Sequence, residues 1–383
     1  MSPDVIVVGG GVMGCMAALR LAEDGRRPLV LERSVPGAEA SSAAAGILGP
    51  AVEAHHGHDA GHPHPGPRPR ARTILSLGIR SRQLHAELAQ QLRDDHGIDV
   101  GFRRCGVMRV ARGEAEEAAL RDHAALLEGR AKVEALGGDE ARRREPALHP
   151  SVSAAIDLPE EAQLEPRLFL RGLAVAAERA GVTFRSGAVV RDVIVEGGRA
   201  RGVHVGGERL EAEHIIVAAG SWTHLVPGLE LAAAGLHPVR GQIVATQTRP
   251  PLFRRVVFGA GGYVVTRPDG RVLCGSTEER VGFERSVTLG GMRSIVDIAT
   301  AVAPRLAHAP ILDHWSSFRP GTADGLPLVG PAGPEHLWLA SGHFRNGILL
   351  APMTAELIRA ALAGDALPPE AADVDPRRFA EAA

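Results

Sequence analysis

The stretch Asp4 to Gly14 constrains this chain more than any other. Val5-Ile6-Val7-Val8 is a short, mostly β-branched apolar run, the composition of a strand buried on both faces. Gly9-Gly10-Gly11-Val12-Met13-Gly14 follows, and then Cys15-Met16-Ala17-Ala18-Leu19-Arg20-Leu21-Ala22. That order is strand, glycine turn, helix. Gly9 permits the tight turn, Gly11 lets a backbone approach a pyrophosphate, and Gly14 lets the helix sit close on the strand. The helix N-terminus offers unpaired N–H groups and the positive end of its dipole to phosphates. A GxGxxG pattern alone is weak evidence, but this one has its context. The helix stops at Gly25, Pro28-Leu29-Val30-Leu31 reads as a second buried strand, and Glu32 ends it. Glu32 lies 18 residues (32 − 14) beyond Gly14, close to the spacing of roughly 20 for the carboxylate that holds a ribose 2′-hydroxyl. A carboxylate there repels a 2′-phosphate, which argues against NADP. The motif by itself does not separate NAD from FAD.

At 383 residues the chain has room for one large or two ordinary domains. Its formal net charge is −2, and no basic patch interleaved with aromatics points to nucleic acid. Cys15, Cys105 and Cys274 lie far apart, without CxxC spacing. They suggest a reducing compartment and neither a disulfide framework nor a zinc site. Met1 runs almost directly into the first strand, and no apolar run reaches the roughly 18 residues of a membrane helix. The expectation is a soluble, cytoplasmic protein without a membrane partner.

Further along, Ala40-Ser41-Ser42-Ala43-Ala44-Ala45-Gly46 is a run of small residues with two hydroxyls, suited to close packing on a flat ligand. His55, His56, His58, His62 and His64 sit among Pro63, Pro65, Pro67 and Pro69. Prolines at that density predict a surface loop and not a fixed metal-ligand set. Leu77, Leu84, Leu88 and Leu92 mark one face of a long helix ending at Gly97. Phe102 to Val110 reads as a strand, 114–128 as a charged helix and 137–150 as a loop. Pro166 opens another helix at the position where its missing N–H costs nothing. Strands are expected over 182–195, 200–205 and 209–218, the last an apolar run ending in Ala218-Ala219-Gly220. A second β-rich region spans 238–275, with Pro268-Asp269-Gly270 as a turn. A helix over 290–303, a strand over 311–317, a short strand at 337–340 and a last helix to about Leu362 complete the chain.

Three features recur together in one flavoprotein group: an opening GxGxxG, a strand ending in Ala-Ala-Gly after a meander, and a glycine turn before the last helix. The sequence resembles the FAD-dependent amino-acid oxidases of the D-amino-acid oxidase superfamily, and within it the glycine oxidases of thiamine biosynthesis, the ThiO type. The most specific stretches are Ser41 to Gly46, Phe318-Arg319-Pro320-Gly321-Thr322-Ala323-Asp324-Gly325-Leu326-Pro327, and Gly342-His343-Phe344-Arg345-Asn346-Gly347-Ile348-Leu349-Leu350-Ala351-Pro352.

The resemblance implies an α/β fold: an FAD-binding, Rossmann-like domain with a second, mainly antiparallel β substrate domain. The FAD-binding domain would comprise residues 1–80, 145–230 and 320–383, and the substrate domain 81–144 and 231–319. Gly9, Gly11, Gly14 and Glu32 would hold the ADP half of non-covalent FAD. Ser41, Ser42, Ala45 and Gly46 would line the ribityl chain and flavin, Val190 would border the adenine, and Gly220 would close the second strand of the motif. Arg345, Asn346, Gly347 and Ile348 would bring a helix N-terminus to the pyrimidine edge of the flavin, where reduction places negative charge.

Arg319 matches the arginine that pairs with the substrate carboxylate, a task for which a guanidinium offers two parallel N–H bonds. The alternative for Arg319 is an ion pair with Asp324. Tyr263, the only tyrosine, matches the family's active-site tyrosine. Two departures concern substrate choice: Gly261 where some members carry histidine, and Glu278 where some carry an apolar side chain. The implied reaction is oxidation of glycine, sarcosine or a small D-amino acid with molecular oxygen as acceptor, without an obligatory general base. A quinone-linked dehydrogenase and a flavin-binding subunit without its own activity are the rival readings. The family also implies a homo-oligomer, with tetramers favoured, and a thiazole synthase as a functional partner.

Overall fold

The computed structural model describes residues 3–54, 68–229, 231 and 233–382. The histidine-rich stretch 55–64 lies outside them. One sheet has six strands in the order Leu328–Pro331, Leu337–Ser341, His214–Val217, Val5–Val8, Pro28–Glu32, Thr183–Ser186. All neighbours in it are parallel except Leu328–Pro331. Val5–Val8 is buried at every position, as a central parallel strand must be. Because side chains alternate across a strand, Val5 and Val7 meet the helices Val12–Glu23, Pro166–Arg179 and Gly347–Ala363. Ile6 and Val8 face the other way, onto a three-stranded meander of Val190–Glu196, Arg199–Val205 and Glu208–Glu211.

A second sheet has eight strands, ordered Ile311–Gly321, His237–Gln247, Arg271–Gly275, Gly262–Thr266, Val256–Gly259, Val107–Ala111, Ala154–Leu158, Glu134–Gly137. It is antiparallel apart from the pairing of Val256–Gly259 with Val107–Ala111. One face packs on the helix Leu289–Val302 through Ile295, Ala299 and Val302. The other carries Ile243, Tyr263 and Trp315 towards Ala45 and Ile47. The two-sheet α/β architecture is the one expected. The long helix, Arg68–His96, buries Leu77, Leu84, Leu88 and Leu92 as the periodicity predicts.

Four local expectations need correction. The segment 137–150 is not all loop: Gly138–Arg144 is a short helix. Asp139 and Glu140 occupy its first turn and Arg142, Arg143 and Arg144 its last, the charge order that complements the helix dipole. The expected strand over 182–195 is two strands in different sheets, separated at Gly187, whose φ is +70°. The strand over 209–218 also divides. Exposed Glu208–Glu211 stays in the meander, while fully buried His214–Val217 lies beside Val5–Val8. The strand expected from Phe102 starts only at Val107, after the left-handed glycines Gly101 and Gly106.

Candidate active site

The glycine turn is built for close approach. Gly9 has φ +109°, and a Cβ there would lie 2.6 Å from the Ala218 carbonyl oxygen. A Cβ on Gly14 would lie 1.9 Å from the Gly9 carbonyl oxygen, so only glycine lets this helix seat on this turn. Glu32 is 9 % exposed and is tied to the glycine turn. Its Oε2 accepts from the Gly10 N–H at 2.8 Å, and its Oε1 accepts from Ser34 N–H at 2.8 Å. The Ser41 hydroxyl oxygen accepts from the Val12 N–H at 3.0 Å, tying the small-residue stretch to the first turn of the helix. Ser42 turns instead to the Glu39 carbonyl, 3.2 Å away.

From this turn a cavity of about 450 Å3 extends to the second sheet. Its walls include Gly9, Gly11, Glu32, Ser41, Ala45, Gly46, Val190, Gly220, Tyr263, Arg319, Arg345, Asn346, Gly347 and Ile348. Gly14 and Ser42 do not reach the wall; Gly14 acts behind it, by packing. None of the three cysteines lines the cavity. Burial pushes the Cys15 and Cys274 thiols up to about 12.

The floor of the far end is a set of aligned rows on the second sheet. Ile243 pairs with Trp315, Gly241 with Ser317 and Val239 with Arg319, all on one face by alternation. Tyr263 pairs with Gly275, which pairs with Ile243. The two glycines make room for their neighbours. A Cβ on Gly241 would lie 2.3 Å from Nη1 and 2.4 Å from Nη2 of Arg319, so the guanidinium rests directly over that backbone. A Cβ on Gly275 would lie 2.7 Å from the Tyr263 hydroxyl. Sequence reasoning singled out neither glycine.

Arg319 does not pair with Asp324, which is taken by Arg378 at 2.7 Å. Arg319 donates to the Thr277 carbonyl at 3.0 Å and to the Ser276 hydroxyl at 2.5 Å. That leaves three of its five N–H donors, and no carboxylate of the described residues lies within ion-pair distance. Burial pulls its pKa below the ordinary guanidinium value, opposed mainly by Tyr263; arginine stays charged nonetheless. Burial raises the Tyr263 phenol above its usual value, against Arg319 and a Ser276 hydrogen bond, so it is neutral at pH 7. Glu278 forms an ion pair with Arg345, which neutralises the acidic departure noted in the sequence.

Above this floor stands the N-terminus of the helix Gly347–Ala363, interrupted by Pro352. Proline has no N–H for the carbonyl four residues back, here Ile348. His85 supplies it: its Nε2 lies 2.8 Å from the Ile348 oxygen. One turn away, the Ser81 hydroxyl oxygen accepts from the Met353 N–H at 3.1 Å. The long helix thus repairs the break and holds the turn 345–348 against the cavity. Burial pulls the His85 imidazole down to about 4, despite hydrogen bonds to Ile348 and Leu349 that favour its protonation. Buried His343, paired with the Thr354 hydroxyl at 2.8 Å, is pulled down to about 3.

Two predictions arise here. Glu32→Gln is expected to weaken binding of the dinucleotide that the glycine turn implies by about 1–3 kcal/mol, the scale of a hydrogen bond to a charged group, measured as its dissociation constant. Equal affinities would remove Glu32 from the cofactor site. The second concerns acid. The folded pKa of His85, about 4, lies below the unperturbed 6.5, so below pH 6.5 the unfolded chain binds a proton that the folded chain refuses. This contribution to stability is constant above pH 6.5 and falls as pH drops towards 4. At about 1.4 kcal/mol per unit, one such histidine removes about 2 kcal/mol between pH 6.5 and 5. His85→Gln, which keeps a donor, is expected to abolish that share of the loss in urea unfolding. An unchanged pH slope would count against a neutral buried His85.

Glycine turn, terminal carboxylate and helix N-terminus, facing a second sheet that carries a half-buried arginine on the cavity wall, are the layout of a dinucleotide-binding protein. Residues 4–361 match the FAD dependent oxidoreductase family, and the chain belongs to it. It is 32 % identical to a glycine oxidase of Geobacillus kaustophilus over 93 % of this chain and 91 % of that one. The crystal structure of glycine oxidase from that organism superposes with a TM-score of 0.89 at 30 % identity, covering 98 % of this chain and 99 % of that chain. A bifunctional protein ThiO/ThiG of Trichormus variabilis is 33 % identical over 94 % of this chain. The chain spans about half, 52 %, of that relative's length.

Proposed function

We propose that the protein is a glycine oxidase, converting glycine, water and oxygen to glyoxylate, ammonia and hydrogen peroxide, in the service of thiazole formation in thiamine biosynthesis. The observation that carries this reading is Arg319: a half-buried guanidinium on a sheet floor, with spare donors and no carboxylate partner among the described residues. A small amino acid brings the missing carboxylate.

The residues present fit FAD. Gly9, Gly11 and the helix N-terminus behind them suit the pyrophosphate, and Glu32 suits the adenosine ribose. Ser41, Ala45 and Gly46 offer small walls to a flat ring, and Val190 a border to the adenine. Bound there, FAD would supply the two-electron acceptor chemistry that the oxidation needs, with oxygen as the final acceptor. Arg319 fixes the carboxylate, and therefore the orientation of the α carbon beneath the helix N-terminus at 345–348. Tyr263, neutral and braced by Gly275, gives the substrate a hydroxyl contact. The N–H groups of residues 346–348 and their dipole stabilise negative charge developing at the cavity's upper edge.

The domain division is part of the proposal. Residues 1–80, 145–230 and 320–383 form the cofactor unit, and 81–144 and 231–319 the substrate unit. The first of these lends the strand Ala154–Leu158 to the eight-stranded sheet.

Purified protein should be yellow and should release peroxide aerobically when glycine is added. Acid should free the flavin from the precipitated chain, in keeping with the absence of cysteine from the cavity wall. Flavin reduction by glycine without peroxide release would move the protein to the dehydrogenases. No reduction at all would leave it a flavin-binding subunit.

A further inference from the structure

One polar group on the cavity wall has no role in the account above. Ser317 lines the cavity and is 8 % exposed. Its hydroxyl is sealed from solvent and has no hydrogen-bond partner. Buried hydroxyls are normally paired, so an orphan beside a ligand cavity points to the ligand. Its neighbours limit which part of the ligand it serves. Along Ile311–Gly321, Ser317 shares its face with Trp315, whose indole N–H donates to the Ala43 carbonyl at 3.0 Å, and with Arg319. Across the ladder it stands opposite Gly241, and directly opposed residues hold their Cβ positions about 5 Å apart. The Cβ position of Gly241 is 2.3–2.4 Å from the Arg319 guanidinium. Ser317 therefore flanks the guanidinium without bonding to it, on the side of the small-residue stretch.

We propose that the Ser317 hydroxyl is a second arm of the carboxylate site, donating a hydrogen bond to the substrate carboxylate that Arg319 holds. This rests on the reading of Arg319 as the carboxylate clamp. An ionised carboxylate has about four acceptor positions. A bidentate guanidinium fills two and leaves the others for a donor at its flank. Rotation of the side chain about χ1 turns the hydroxyl out towards the oxygen, and Gly241 opposite leaves no side chain between them. A carboxylate that meets both groups is fixed in rotation about its Cα–C bond as well as in position. Ser317 then acts on the orientation of the α carbon and not on charge.

The test is binding of acetate, a carboxylate that cannot be oxidised, to the FAD-loaded protein, read from the perturbed flavin absorbance. Ser317→Ala is expected to raise the acetate dissociation constant roughly tenfold or more, the effect of losing one hydrogen bond to a charged group. Free-enzyme spectrum and FAD affinity should not change. Ser317→Thr, which keeps the hydroxyl on a strand that favours β-branched residues, should restore affinity to within about threefold of wild type. The effects of Ser317→Ala and Arg319→Leu should be non-additive, since both groups meet one carboxylate. Unchanged acetate affinity in Ser317→Ala, with Arg319→Leu impaired, overturns the proposal and leaves the clamp standing. Unchanged affinity in Arg319→Leu overturns the clamp and this proposal with it. A shifted free-enzyme spectrum or weakened FAD binding in Ser317→Ala, with acetate unaffected, also overturns it and assigns the hydroxyl to the cofactor.

Discussion

Arg319→Leu is expected to lower kcat/KM for glycine by roughly 30- to several-thousand-fold. Removing one partner of a buried charge pair costs about 2–5 kcal/mol, much of it the penalty of leaving the other charge unpaired. At about 1.4 kcal/mol per tenfold this gives the stated range. The loss should fall on kcat/KM and on carboxylate binding, not on FAD content, because the guanidinium bonds to Thr277 and Ser276 and to nothing in the glycine turn. Arg319→Lys should recover only part, since an ammonium is a point charge without the planar fork. An amine without a carboxylate should be a poor substrate for wild type and little affected by the change. Wild-type kinetics on glycine in Arg319→Leu would place the clamp elsewhere.

The parts of the site that are local in sequence were legible there. The glycine turn, Glu32 and the small-residue stretch owe their meaning to short spacings, and the structure brings Gly9, Gly11, Glu32, Ser41 and Ala45 to one cavity. The parts that depend on register were not. Gly241 is one of 46 glycines. Its role follows from its pairing with Ser317, and that register is set by an antiparallel ladder whose two strands are separated in sequence by three other strands and a helix. The repair of Pro352 by His85 and Ser81 was hidden for the same reason. A proline inside a helical stretch announces a broken hydrogen bond, but nothing local names the side chain that mends it, which comes from another helix. Strand ends failed where the pattern changes gradually. Glu208–Glu211 and His214–Val217 read as one run because two residues suffice to leave one sheet and join another. For Gly138–Arg144, the following Pro146 and Pro150 give the stretch 137–150 a loop character in sequence, although the charge order within 138–144 makes a helix of it.

Gly241→Ala is expected to reduce kcat/KM for glycine by about a hundredfold while leaving the melting temperature nearly unchanged. The backbone at Gly241 lies in the strand His237–Gln247, and it is not among the left-handed glycines. Alanine can adopt its conformation without strain. The added methyl would fall 2.3–2.4 Å from Nη1, Cζ and Nη2 of Arg319. Those atoms are the far end of a flexible side chain, so the guanidinium moves and the sheet does not. Its bonds to Thr277 and Ser276 set where it sits now, and displacement by an ångström or so breaks that alignment. A misplacement of about 1 Å can cost on the order of a hundredfold when reaction depends on a held geometry. The charge remains, so carboxylate binding should weaken less than in Arg319→Leu, and the loss should weigh more on kcat than on KM. FAD content should match wild type. Serine at the same position should behave like alanine, because its Cβ meets the same atoms. If Gly241→Ala keeps wild-type kcat, the arginine acts through its charge alone. If it unfolds the protein, the guanidinium is fixed more rigidly than its two hydrogen bonds imply.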